Sequence, residues 1–207
     1  MIDKQLYLII VAFIFFMLLV YIMGETWKSK YVSMKELYTS AKSAMLSQMG
    51  GATEFKLSSP VFNDGYALNR KFAKCGGQNV FPRLQWSSPP SGTKSFAIIV
   101  EDPDAIKAVG KLWVHFVAWN IPTSFNGLNS GNLKKITIGK NSANTNQYEG
   151  PCPPEGTGEH HYIFKLYALD KTLDLNRDAT RDNLLKAIKG SIVGETQITG
   201  LFEYIKN

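Results

Sequence analysis

Eighteen consecutive apolar residues, Leu6 to Met23, constrain this chain more than any other feature of its sequence. At about 1.5 Å per residue a helix of that length spans about 27 Å, close to the hydrocarbon thickness of a bilayer. Asp3 and Lys4 precede the run, Glu25 and Lys28 follow it, and Tyr7, Tyr21 and Trp27 stand near its ends. Aromatic rings suit the membrane interface. A cleaved export signal would carry a shorter apolar region, about 7–15 residues, and then a small-x-small site. Val20-Tyr21-Ile22-Met23-Gly24 is bulky where that site needs small side chains. A buried soluble helix would show a polar face, and none exists. The run is therefore expected to be an uncleaved single-pass anchor at residues 6–23. Lys28, Lys30 and Lys35 outweigh Lys4 and the amino terminus across it, which favours the cytosolic side for the C-terminal part. None of the 13 Asn residues opens an Asn-x-Ser/Thr acceptor, in agreement with that placement.

Outside residues 1–24 the chain keeps the whole formal charge of +6, because that segment holds one Lys and one Asp. A basic excess points to anionic partners. With 44% hydrophobic residues the chain is not disordered, and two cysteines are too few for a disulfide framework. The 17 Gly and nine Pro follow no triplet period, which excludes collagen. Residues 25–53 read as a helical stalk. Ser33-Met34-Lys35-Glu36 is a capping-box pattern, Met34, Leu37, Tyr38, Ala41, Ala44 and Met45 recur at helical spacing, and Gly50-Gly51 supplies a stop. Such a stripe can pack on a globular domain, on a partner helix or against a membrane.

From about Thr53 the pattern changes to short β-rich runs separated by Gly, Pro and Asn turns. Ser95–Glu101 and Leu112–Ile121 are apolar on both faces, as central strands are, and Tyr162–Leu169 is similar. Thr180–Lys189, closed by Gly190, reads as a helix. Residues 54–207 are thus expected to form a mostly β sandwich with a few peripheral helices.

Histidine is scarce. His115 falls inside a buried strand, His160 stands at the head of another, and Asp102-Pro103-Asp104 ends a third. The loop Gly150-Pro151-Cys152-Pro153-Pro154-Glu155-Gly156-Thr157-Gly158 runs straight into His160. Strand ends and rigid loops are where scaffolds present function. Four segments, in order, resemble the phosphatidylethanolamine-binding protein family, the Raf-kinase-inhibitor-like proteins, and most of all its bacterial-type branch. They are Cys75-Gly76-Gly77-Gln78-Asn79-Val80-Phe81-Pro82-Arg83-Leu84-Gln85-Trp86, Asp102-Pro103-Asp104-Ala105, Trp113-Val114-His115-Phe116, and the proline loop into His160-His161-Tyr162-Ile163-Phe164.

The resemblance implies a β-sandwich with a small pocket for phosphate-type anions or phospholipid headgroups. Asp102 and Asp104 would form its acidic edge, His115 its floor, and Cys152, Pro153 and Pro154 one wall, with His160 and Tyr162 closing it. Imidazole and phenol can donate to phosphate oxygens, and a carboxylate can orient an imidazole. A carboxylate beside an anion repels it, so binding below neutral pH is expected to be tighter, through a protonated histidine or a proton shared with the ligand. Ile106, Phe81, His161 and Ser191 replace the family's usual proline, serine, arginine and histidine.

No zinc-type spacing of His and Cys occurs, so no metal or cofactor is expected. Cys75 and Cys152 are expected as free thiols, with pairing left to geometry. No nucleophile elbow, P-loop or dinucleotide fingerprint is present, and a non-enzymatic role is expected. The alternative to anion binding is a regulatory or structural protein that holds a protein partner through its surface and stalk. Nucleic acid is not an expected partner.

Overall fold

The computed structural model describes residues 54–205 and, before them, Leu37 alone, which is helical. Apart from that residue, the expected anchor at 6–23 and stalk at 25–53 lie outside the described residues. Among the described residues no helix is long and apolar enough to cross a membrane.

In chain order the first strands are β1 (Lys56–Ser58), β2 (Tyr66–Ala67), β3 (Leu84–Ser87), β4 (Ser95–Asp102) and β5 (Trp113–Ile121). The rest are β6 (Gly127–Leu128), β7 (Thr137–Ile138), β8 (His160–Leu169) and β9 (Ile192–Phe202). Helix α1 (Ala105–Val109) follows β4, and α2 (Arg181–Ile188) precedes β9. One sheet has the order β2-β9-β8-β4-β5-β7 and the other β1-β3-β6. The sandwich expected from the sequence is present.

Alternation along β4 explains the layers. Phe96, Ile98 and Val100 face the small sheet and pack with Leu57, Leu84 and Trp86. Ala97 and Ile99 face the other way, with Trp119, Leu169, Leu184 and Ile188, so α2 covers the outer face of the large sheet. All eight residues of β4 are buried, as an apolar run covered on both sides requires. The expected helix at 180–189 is trimmed to α2, with Thr180 as its cap: Asn183 Oδ1 accepts from the Thr180 N–H at 2.9 Å. The five-residue α1 and the 11-residue β9 had no counterpart in the sequence reading. Gly194 and Gly200 lie within β9. Both are close-approach positions: a Cβ would meet Pro90 Cγ at 2.6 Å in one and the Leu68 side chain at 2.5 Å in the other.

Phe81, which stands where the resembling family has serine, is a core residue, 5.1 Å between ring centroids from Phe116 and 5.2 Å from Tyr148. Cys75 and Cys152 are not free thiols. They form a disulfide with Cα atoms 5.0 Å apart, across 77 residues of sequence. The loops are already held together beside it, where the Lys74 N–H donates to Pro151 O at 2.9 Å. A separation of this size in sequence carries no sign of such proximity.

A buried ion cluster joins β4 to its neighbours. Arg181 Nε donates to Glu101 Oε2 at 2.6 Å, and Lys165 Nζ bonds the other oxygen. Burial opposes ionisation of Glu101, but the Arg181 and Lys165 bonds outweigh it and hold its carboxyl below the usual value. Such a carboxylate contributes fully above its unfolded-state pKa of about 4.3, and the contribution disappears as pH falls through the lower folded value. Glu101→Gln is therefore expected to cost about 1.5–3 kcal/mol at neutral pH and little in strong acid. Urea midpoints across pH check this, and a cost independent of pH would refute it. For the disulfide, a thiol titration of the denatured, unreduced chain is expected to find none. Replacing both cysteines by serine is expected to lower stability by about 2–4 kcal/mol.

Candidate functional site

Three adjacent strands end at one edge of the large sheet. Asp102 closes β4 opposite Trp113, which opens β5, and Glu101 lies opposite Ile163 near the start of β8. This register brings Asp102, His115, His160 and Tyr162 together around a cavity of about 220 Å³. Cys152, Pro153 and Pro154 line it as well, so seven of the eight expected site residues surround one cavity. Asp104 does not line it. Its Oδ2 accepts the His161 backbone N–H and bonds His161 Nδ1, both at 2.8 Å, at the surface beside the cavity. Burial opposes ionisation of Asp104, but the His161 N–H and imidazole outweigh it and keep the carboxyl below its usual value.

Asp102 is buried and fully engaged. Its Oδ1 accepts the Ala105 N–H at 3.1 Å, and its Oδ2 lies 2.7 Å from His160 Nδ1. The other ring nitrogen of His160 lies 2.9 Å from Thr157 Oγ1, which is also 2.7 Å from Pro154 O. Thr157 thus ties the His160 ring to the proline loop. His160 is a positioning residue, locked between Asp102 and Thr157, with no free nitrogen for a ligand.

His115 is held differently. The Glu149 N–H donates to His115 O at 3.0 Å, and Glu149 O lies 2.6 Å from His115 Nδ1. A carbonyl only accepts, so Nδ1 carries the proton. Burial pushes the imidazole below its usual range, against the opposing pull of the Glu149 carbonyl and the Asp102 and Glu149 charges. The ring packs edge-on to Tyr162, centroids 5.0 Å apart. Burial, aided by the Asp102 charge, raises the Tyr162 phenol far above its usual value and keeps it neutral. Among the described residues, His115 Nε2 and the Tyr162 hydroxyl are buried polar atoms with no hydrogen-bond partner. Such atoms are rare in native proteins and call for an explanation.

Several residues that the sequence reading did not single out complete the site. Lys74 lines the cavity, and its Nζ meets Glu149 Oε1 at 2.8 Å. Trp113, Gly150 and Val109 are also in the lining. Asn79 accepts the Gly150 N–H at 2.7 Å, pinning the start of the proline loop. Asn79 belongs to a segment quoted for its resemblance, and its position there was the available signal. Thr157 likewise lies in the proline loop, whereas Lys74 offered no signal, since nothing in sequence distinguishes it from a surface residue. Among the described residues no group of three or more His, Cys, Asp or Glu side chains is placed to hold a metal ion.

Comparison with known proteins agrees with this fold. The profile of the phosphatidylethanolamine-binding protein family matches residues 58–203. A UPF0098 protein of Methanothermobacter thermautotrophicus is 39% identical over 152 residues, covering 70% of this chain and 97% of the relative. A putative lipoprotein of Mycobacterium tuberculosis, LppC, is 39% identical over 153 residues, covering 73% of this chain and 74% of the relative. Among solved structures, a putative homolog of the family from Chlamydia trachomatis superposes with a TM-score of 0.67 at 32% identity, covering 73% of this chain and 98% of that one. Escherichia coli YbcL gives a TM-score of 0.68 at 29% identity, covering 74% and 100%. The chain belongs to the phosphatidylethanolamine-binding protein family, in its bacterial-type branch.

Proposed function

We propose that residues 54–207 bind a phosphate-type anion or phospholipid headgroup in the cavity between Asp102, His115 and Tyr162, without catalysis, while residues 6–23 tether the domain to a membrane. The observation that carries this reading is the pair of unpartnered atoms, His115 Nε2 and Tyr162 Oη, in residues that line one cavity. About 220 Å³ is small beside the ~300–1,000 Å³ of pockets for drug-sized molecules, and suits a headgroup. Lys74 stands at the cavity with two ammonium N–H groups beyond the one it gives Glu149, and the engaged oxygens of Asp102 face their own donors rather than an incoming anion. Cys152, in a disulfide, has no thiolate with which to act as a nucleophile.

Tethering draws support from the apolar run and from the lipoprotein name carried by the mycobacterial relative. The disulfide bears on the side of the membrane. Disulfides persist in oxidising compartments, so the Cys75–Cys152 bridge favours the non-cytosolic side, against the expectation drawn from the flanking lysines.

Two measurements test the reading. Calorimetric titration of inorganic phosphate into the full chain in detergent is expected to show saturable binding. Tyr162→Phe, which keeps the ring and removes one donor to a charged ligand, is expected to weaken it about tenfold, the equivalent of ~1.5 kcal/mol. Absence of binding, or binding unaffected by the substitution, counts against the cavity. For sidedness, external protease is expected to degrade the domain in intact cells. Protection until the membrane is opened would restore the cytosolic placement.

A further inference from the structure

The hydrogen-bond roles around the cavity restrict the ligand further, granted the anion-binding reading above. His115 Nδ1 is committed as a donor to Glu149 O. A neutral imidazole with its proton on Nδ1 presents only a lone pair at Nε2, and that atom is buried and unpartnered among the described residues. The neighbouring Tyr162 hydroxyl makes no bond to it. This buried, unpartnered nitrogen therefore asks for a proton from the ligand. A fully ionised phosphate has none to give. Nor does a phosphate diester, whose two free oxygens are both acceptors. A phosphate monoester carrying one proton has both kinds of group: a P–OH to donate to His115, and anionic oxygens to accept from Tyr162 and Lys74.

We infer that the site takes a phosphate monoester in its singly protonated form, in preference to a phosphate diester, because His115 is set to accept a hydrogen bond rather than give one. The diester bond is the one found in intact phosphatidylethanolamine. The monoester occurs in soluble phosphoethanolamine and, on a membrane, in phosphatidic acid.

The groups facing His115 fit this assignment. Glu149 from the preceding loop, Asp102 from β4 and Lys74 beside the disulfide flank the ring, and His160 and Tyr162 approach from β8. Lys74 and Glu149 form a pair, as do His160 and Asp102. Burial of His115 outweighs the pull of the two carboxylates and shifts its ring toward the neutral form, the form whose Nδ1 proton is already given to Glu149 O. The proton that gates binding is then the ligand's.

The test titrates five ligands into the full chain in detergent across about pH 5 to about pH 8, a range that brackets the second phosphate ionisation. Phosphoethanolamine is compared with glycerophosphoethanolamine, which has the same amine and a diester. Short-chain phosphatidic acid is compared with short-chain phosphatidylethanolamine. Each monoester is expected to bind about tenfold or more tightly than its diester, tenfold being the effect of ~1.4 kcal/mol. Its affinity is expected to fall as pH rises through its second ionisation. Methylphosphonate, which loses its second proton at higher pH, is expected to move that midpoint upward. A midpoint common to all ligands would mean that a protein group titrates, and would overturn the inference. So would a diester that binds as well as its monoester, which would leave anion binding itself intact. No binding by any ligand would overturn both. Whether phosphatidic acid or phosphoethanolamine binds more tightly tells a membrane-borne source from a soluble one. His115→Phe is expected to erase the monoester preference. The pH series on the unaltered chain decides the matter even if that variant does not fold.

Discussion

Glu149 grips His115 with both polar groups of its own backbone, the N–H on the main-chain carbonyl and the carbonyl on the imidazole. Nearly everything at the site follows from this exchange. It fixes which ring nitrogen is protonated, and therefore which face of the imidazole the cavity sees. It also places the start of the proline loop, since Gly150 follows at once and is held by Asn79, while Pro151 is held by the Lys74 N–H. The disulfide closes the same junction covalently. One wall of the cavity is thus set by bonds to the backbone of the loop and by the disulfide, and specificity falls to the few polar atoms left over.

Adjacent residues at the end of β4 divide two tasks. Glu101 turns to the α2 side, where Arg181 and Lys165 neutralise it. Asp102 turns to the cavity, where Ala105 and His160 occupy its oxygens. Both carboxylates are buried, and each is answered locally, so the strand end can hold two acidic side chains, one of which, Asp102, lines the cavity. The same local pairing turns His160 from a ligand group into a brace for the proline loop.

Much of this could be read in the sequence, for reasons tied to particular residues. β4, β5 and β8 announced themselves because burial on both faces demands unbroken apolar runs. Their ends then pointed to Asp102, His115, His160 and Tyr162 by position. β9 was hidden, because only three of its 11 residues are buried and its glycines serve close packing against Leu68 and Pro90 rather than a turn. The roles of Asp104 and His160 were assigned too directly. A motif shows that residues are near one another, not which of their atoms are already taken. Asn79, Thr157 and Lys74 act through single hydrogen bonds or ion pairs formed across loops, and the Cys75–Cys152 pairing depends on the same loop approach. No periodicity records these.

The disulfide also divides the chain into a ring and two tails. The 77-residue closure encloses β3 to β7, whereas β1 and β2 come before it, and β8, α2 and β9 lie after it. The large sheet is therefore stitched from ring and tail together, with β4 inside lying against β8 outside. A single backbone cut within the ring leaves the two pieces joined, and the nicked molecule keeps its covalent continuity until a reductant reaches it. A cut in the loop between β8 and α2 has no such safeguard, and retention of β9 then rests on non-covalent contacts, the ladder to β8, the short pairing with β2 and the packing of α2. Damage at the surface is thus forgiven on one side of the sandwich and not on the other.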